Sequence, residues 1–324
     1  VSKERSHLAD FAVYVVVRLV VCILSMLSFR LACRLAAGLA WLLYHVDRRH
    51  RLVAHDNLRH AFPDLDDRRR DEMVRAVYRH FCTLLIEIIH LPRRMHPCNW
   101  RQLLELEGGP QIVDALLSGR PLLIVTGHLG NWEMAGYALG LFGFTTNAIA
   151  RQLDNPYLDR FLRGFRERTG QRVVNKNGDF DKIQAVLAQA GVLATLGDQD
   201  AGQRGLFVDF FGRPASTHKA VALLALEYNV PMLVTGTLRD AGGRVEEQKY
   251  RVVVGDLIWP EEYQGRPDAV KAMTQRFTAA LERLIRRSPE QYFWLHRRWK
   301  HQPAAKGKHK KTETLAGTSL KQSA

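Results

Sequence analysis

Between residues 121 and 197 the chain alternates short apolar runs with longer amphipathic ones, and this alternation constrains the fold more than any other feature. Runs of four to six residues such as 121–126 (PLLIVT), 145–150, 172–175 and 192–197 are long enough for buried strands and too short for helices. Between them, residues 131–141, 156–169 and 180–190 carry apolar positions at helical spacing. Strands interleaved with helices in this order imply an α/β layer structure. Residues 216–228 predict a further helix, 231–238 and 248–254 two more strands, and 269–287 a closing amphipathic helix. Upstream, residues 47–100 read as helical and charged, with a long helix through 66–90 that Pro92 closes.

The N-terminus poses a different problem. Residues 11–46 are apolar apart from Arg18, Arg30, Arg34 and a few small polar residues, so neither uninterrupted run, 19–29 or 35–46, reaches the length of a clean bilayer span. An arginine at mid-bilayer costs about 2.5–3.5 kcal/mol on insertion scales, which neighbouring Val, Leu and Ile residues offset. Three readings stay open: one tilted span, an in-plane anchor, or an amphipathic core helix. A signal peptide fits less well, because Arg48, Arg49 and Arg51 follow the run where a small-residue cleavage site belongs. Residues 1–46 are therefore set apart as a membrane anchor, 47–302 as the body, and 303–324, with five lysines and one glutamate, as a basic disordered tail.

Lysine and arginine number 47 against 33 acidic residues, a formal charge of +14. Such an excess suits nucleic acid, or an anionic membrane with acidic partners. Cys22, Cys33, Cys82 and Cys98 are spaced too widely for a CxxC site and too few for a disulfide framework, which points to a reducing compartment. No GxSxG elbow, HExxH zinc motif or GxxxxGK[ST] phosphate loop occurs.

The sharpest local motif is Thr126-Gly127-His128-Leu129-Gly130-Asn131-Trp132-Glu133. It follows a buried strand and so lies at the carboxyl edge of the sheet, where α/β proteins place ligands. On one unbroken helix, residues five apart lie about 140° apart around the axis, so His128 and Glu133 can meet only across a turn. Gly127 and Gly130 permit that turn, and Asn131 is a fitting N-cap for a helix with Glu133 in its first turn. A carboxylate on one imidazole nitrogen fixes the tautomer and leaves the other nitrogen to take a proton from a hydroxyl. The alternative is a structural histidine on a tight loop.

This block resembles the HxxxxE motif of the bacterial lipid A biosynthesis acyltransferases, the late lauroyl and myristoyl transferases related more distantly to glycerophosphate acyltransferases. The resemblance continues in order through residues 151–159 (RQLDNPYLD), 197–202 (GDQDAG), 206–214 (LFVDFFGRP) and 289–300 (PEQYFWLHRRWK), and so covers about residues 10–302. It implies a mixed sheet flanked by helices, as in glycerolipid acyltransferases, behind an N-terminal membrane-anchoring helix. It also implies transfer of a fatty acyl chain from an acyl carrier protein thioester, or from acyl-CoA, to a hydroxyl of a phosphorylated glycolipid, with no cofactor and no metal. Implied too are an anionic membrane surface, no nucleic-acid partner, and a bacterial inner-membrane location with the catalytic domain facing the cytoplasm.

A thioester is already activated, so the reaction needs a base for the hydroxyl and a partner for the oxyanion. His128 and Glu133 fit the first role. Arg151 is the candidate for the oxyanion or an acceptor phosphate, against the reading of a surface arginine; Asn155 either holds its loop or bonds the donor. Asp198 and Asp200, after the strand 192–197, either orient His128 as a second carboxylate, shape the acceptor site, form a turn, or chelate a divalent cation. Phe207, Phe210 and Phe211 wall an acyl groove or pack beneath the site. His296, Arg297 and Arg298, after Phe293 and Trp294, suggest a basic aromatic face for phosphate, or else solvated arginines beside a docked C-terminal strand. Other acceptors, such as a phospholipid or a mannosylated glycolipid, share the base motif; the rival from another class is a non-catalytic basic protein binding membranes or nucleic acid.

Overall fold

The computed structural model describes residues 6–176, 178–240, 242 and 247–303. From residue 304 onward, the basic tail lies outside the described residues. Four helices come first: α1 (His7–Met26), α2 (Phe29–Val46), α3 (Arg48–Ala61) and α4 (Asp67–Arg94). Ser6, Ser28, Asp47 and Asp66 cap them, each side chain accepting the main-chain N–H three residues on. The apolar stretch 11–46 is therefore two helices, because Ser28 starts a second one. Pro92 does not close α4; the helix runs to Arg94 and the Met95 N–H still reaches the Leu91 carbonyl.

The sheet contains β1 (Leu104–Glu107), β2 (Leu122–Thr126), β3 (Thr146–Ala150), β4 (Arg172–Asn175), β5 (Val192–Leu196), β8 (Met232–Arg239) and β9 (Tyr250–Ile258), in the order β1-β9-β8-β2-β5-β3-β4. Strands β8, β2, β5, β3 and β4 run parallel; β9 is antiparallel to β8, and β1 follows β9, so the sheet is mixed. Helices α5 (Trp100–Leu103), α6 (Gly109–Leu117), α7 (Trp132–Leu141), α8 (Pro156–Glu167), α9 (Phe180–Ala188), α10 (Ala220–Glu227) and α11 (Ala269–Arg287) complete the fold. Two apolar clusters form the core, one around α4, α10 and α11, the other around α6 and α7.

The remaining strands form a hairpin, β6 (Leu206–Phe210) and β7 (Arg213–Thr217), where the sequence shows only an aromatic run. Ser216 and Thr217 belong to β7 and not to the following helix, because antiparallel pairing of Thr217 with Leu206 keeps them extended. The segment 289–300 docks Trp294 fully into the core, but as successive turns and not as a strand.

The two N-terminal helices face the body in unusual ways. α2 turns Ala32, Cys33, Ala36, Ala40 and Tyr44 inward against α4, where they join the core, and turns Leu35, Leu39, Trp41, Leu42 and Val46 outward. Its large apolar residues thus face away from the core. α1 is long and apolar enough to cross a membrane and is little buried. It nonetheless touches the body along its length, from Phe11 and Tyr14 on Tyr157, through Arg18 over Phe161, to the Leu24 and Ser25 carbonyls bonded by His90 and Arg93.

Candidate active site

Sheet register creates the site. β2 and β5 pair in parallel with Thr126 beside Leu196, so residues two positions beyond each strand end, His128 and Asp198, emerge side by side. Asp198 Oδ1 lies 2.9 Å from His128 Nδ1, and Asp198 Oδ2 accepts the His128 main-chain N–H at 2.8 Å. Gly127 makes this approach possible, since a Cβ there meets the Asp198 carboxyl carbon at 3.3 Å. Gly130 is still more constrained: its φ is +59° and a Cβ meets the Thr237 carbonyl oxygen of β8 at 1.8 Å. Only glycine fits.

Asp198 is buried, whereas the His128 side chain keeps 19% of its surface. Burial disfavours the imidazolium, but the Asp198 charge and hydrogen bond, with Glu133 adding further attraction, outweigh it and raise the His128 pKa above its ordinary 6.5. Burial likewise works against the Asp198 carboxylate, and the His128 contacts, with help from Arg298, more than compensate and lower its pKa. With Nδ1 committed, Nε2 has no hydrogen-bond partner among the described residues. The rings of Trp132 and Phe293 flank the imidazole at centroid distances of 5.1 and 5.8 Å.

Glu133 does not make the contact expected of it. Asn131 caps α7 as anticipated, accepting the Met134 N–H, and Glu133 sits in the first turn. Its carboxylate, however, is bonded to the guanidinium of Arg166 on α8 and to the Trp132 indole N–H at 3.2 Å. The carboxylate on His128 is Asp198, and Glu133 acts on it only across a distance. Arg166 had no motif to reveal it in the sequence.

A second buried network holds the turn after His128. Glu87 of α4 accepts bonds from Arg239 at 2.6 Å and from the Asn131 amide at 3.0 Å, and Arg239 also reaches His80 at 3.1 Å. The Gln291 amide bonds the Arg239 main chain in both directions at 2.8 Å, while its own carbonyl takes the Gly130 N–H. The Asn131 N–H donates to Thr237, and the Phe293 N–H to the His128 carbonyl. The loop is thus fastened from three sides, by α4, β8 and the C-terminal turns.

The other candidates do not converge on His128. Arg151 follows β3, points outward with 80% of its side chain exposed, and is held by Asp154 at 3.0 Å. Asn155 is buried: it caps α8 through the Tyr157 and Leu158 N–H groups and donates to the Asp10 carbonyl of α1, so it holds the loop and the N-terminal helix. Asp200 pairs with His301 at 2.6 Å while Asp198 pairs with His128, so the two aspartates serve different partners. Among the described residues no group of three or more His, Cys, Asp or Glu is arranged to hold a metal. Arg297 is exposed, whereas Arg298 turns inward onto the Ser216 carbonyl and Thr217 hydroxyl. Phe210 and Phe211 pack against Tyr292, Trp294 and Phe62 beneath the site, not along a groove.

An apolar cavity instead opens beside Trp132 and Glu133. It is lined by Thr126, Arg166, Ala150 and Leu196 as well, and shares Ile124, Ala135, Leu139 and Thr235 as a common wall with a second apolar cavity between the sheet and α6.

The mixed sheet with flanking helices gives the fold its α/β class, and the family match makes the chain an acyltransferase. More closely, the chain belongs to the bacterial lipid A biosynthesis acyltransferase family, whose model matches residues 1–301. It is 25% identical over 258 residues to the lipid A biosynthesis palmitoleoyltransferase of Escherichia coli (strain K12), covering 79% of this chain and 80% of that one. It is 24% identical over 283 residues to the lipid A biosynthesis lauroyltransferase of the same organism, covering 86% and 88%. A phosphatidylinositol mannoside acyltransferase of Mycobacterium tuberculosis (strain ATCC 25618 / H37Rv) is 30% identical over 154 residues, 46% of this chain and 49% of that one. Among solved structures, the 1-acyl-sn-glycerophosphate acyltransferase PlsC of Thermotoga maritima aligns with a TM-score of 0.35 at 13% identity, covering 79% and 95%.

Proposed function

We propose that this protein transfers a fatty acyl chain from an acyl carrier protein thioester to a hydroxyl of a lipid A precursor or similar glycolipid, at the cytoplasmic face of the inner membrane. The observation that carries this reading is His128 itself, bound at Nδ1 by a buried carboxylate, open at Nε2, and packed on Trp132, which lines an apolar cavity. His128 Nε2 takes the acceptor hydroxyl proton as the oxygen attacks the thioester carbonyl. The tetrahedral intermediate collapses, the carbon–sulfur bond breaks, and the thiolate recovers the proton from the imidazolium. Asp198 holds the tautomer and offsets the imidazolium charge. Arg166, lining the cavity beside Trp132, is better placed than Arg151 to face the oxyanion. Arg151, next to the cavity residue Ala150 but turned to solvent, suits an acceptor phosphate.

The cavity beside Trp132, with the second apolar cavity behind its shared wall, takes the acyl chain. α1 and α2 sink their outward apolar faces into one leaflet, which fits α1 lying against the body better than a span standing away from it. Leu19→Glu with Leu39→Glu should then release the protein from membranes without unfolding it, as sedimentation and circular dichroism would show. The similarity to a mannoside acyltransferase favours a second reading, a mannosylated acceptor. Mass spectrometry of lipids after incubation of the reconstituted protein with acyl-carrier and acyl-CoA donors and both acceptor types decides donor, acceptor and reaction together. The expected product is an acylated lipid A precursor; absence of transfer to any acceptor would make the protein a binder only.

A further inference from the structure

The same edge of the sheet carries a basic surface that acyl transfer chemistry does not use. Lys176 follows β4, Arg204 lies between β5 and β6, Lys219 immediately precedes α10, and Arg297 and Lys300 belong to the C-terminal turns; all five are exposed. None forms an ion pair among the described residues. Contacts link their segments into one face. Lys176 Nζ is 3.4 Å from His218 Nε2, and His218 senses the charges of Arg298 and Asp200. Asp200 bonds His301, and its N–H donates to His296 at 3.3 Å, so the C-terminal turns abut the loop after β5. The Arg204 loop is pinned to β7 by the Ala201 N–H on the Ser216 carbonyl.

Two carboxylates on this face are already engaged, Asp200 by His301 and Asp179 by Lys182. Large apolar side chains interrupt the charge: Phe180 at the start of α9 and Leu223 on α10 are exposed, and Gln184 bonds Tyr228 to bring the two helices together. Cations around a few exposed apolar anchors form the pattern of a protein-docking surface. The outward apolar residues of the membrane-facing helices lie elsewhere, on α1 and α2, which pack on α4 and α8.

We propose that this face docks the acidic carrier protein that brings the acyl thioester, an inference that rests on the carrier-bound donor of the preceding section. Strands β2 and β4 are three spacings apart, so a carrier seated at Lys176 lies roughly 15 Å from the His128 edge. A flexible prosthetic arm bridges that span and enters the cavity beside Trp132. Complementary charge sets the encounter rate and orients the carrier.

The test compares wild type with Lys176→Glu/Lys219→Glu and the milder Lys176→Ala/Lys219→Ala, as full-length protein in detergent. Binding of fluorescently labelled acyl carrier protein is read by anisotropy, and turnover is measured with carrier-bound lauroyl and with lauroyl-pantetheine, which has no protein to dock. The expected result is a Kd and a KM for the carrier-bound donor raised about tenfold or more by charge reversal and less by alanine, with lauroyl-pantetheine turnover unchanged. Unchanged carrier affinity, equal loss with both donors, or loss of binding only to anionic vesicles would overturn the docking assignment. A wild-type enzyme that uses lauroyl-pantetheine but never the carrier-bound chain would overturn the donor assignment itself.

Discussion

The loops after β2 and β5 and the loop after β3 all lie at one sheet edge, yet they are built in opposite ways. His128 and Asp198 are 70 residues apart in sequence and are joined by strand register, beside Gly127, where a Cβ would press on Asp198, and Gly130, where none fits. Arg151, Asp154 and Asn155 are neighbours, and their side-chain bonds are mostly local: an exposed ion pair and a helix cap. The first loop is rigid and buried because the sheet and the Glu87–Arg239–Gln291 network fix it; the second presents charge to solvent. In the proposed reaction, chemistry that needs a fixed tautomer falls to the first, and contact with the acceptor headgroup to the second.

The contrast is broken most severely by His128→Ala or Asp198→Ala, each expected to lower kcat about 10²–10⁴-fold with the fold intact by circular dichroism. Gly130→Ala comes next, since its Cβ must displace the β8 backbone. Loss of soluble, active protein on expression, or kcat reduced about 100-fold where it folds, is the expected outcome. Glu133→Gln separates the two carboxylates: it leaves the half-buried Arg166 without its charge partner and should cost about 1–3 kcal/mol of stability in denaturant unfolding. The pH profile should change little, because Glu133 does not bond the imidazole. The smallest effect is expected from Arg151→Ala, a rise of less than about tenfold in acceptor KM with kcat kept, as befits an exposed charge.

Much of this was legible in the chain because it is local. The β–α alternation from residue 121 to 197, the Asn131 cap and the Ala269–Arg287 helix all follow from neighbouring residues, and each is present in the structure. Asp198 was legible as one of two aspartates beyond a strand, but its choice of His128 depends on which residue of β2 stands beside Leu196, and no local pattern encodes that. Proximity in sequence misdirected the expectation for Glu133, five residues from His128 but bonded to Arg166 on the following helix. β6 and β7 escaped notice because their aromatic residues fit a groove wall as readily as a hairpin. The anchor boundary drawn at residue 46 followed hydropathy, whereas packing joins the inner face of α2 to the body.

The excess positive charge also divides by place. Part of it sits with the N-terminal helices, part on the Lys176–Lys219–Lys300 face, and neither part touches the histidine. The proposed catalysis depends on one hydrogen bond, between His128 Nδ1 and Asp198 Oδ1.

That bond is tested by the pH dependence of kcat/KM in wild type, Asp198→Asn and Glu133→Gln. Because Asp198 raises the His128 pKa and the base must be neutral, wild-type activity should fall as pH drops through a value above 6.5. Asp198→Asn should move that acid limb to lower pH and depress the plateau, while Glu133→Gln leaves the limb nearly in place. An acid limb unmoved in Asp198→Asn but shifted in Glu133→Gln would contradict the account and return the histidine to its sequence neighbour.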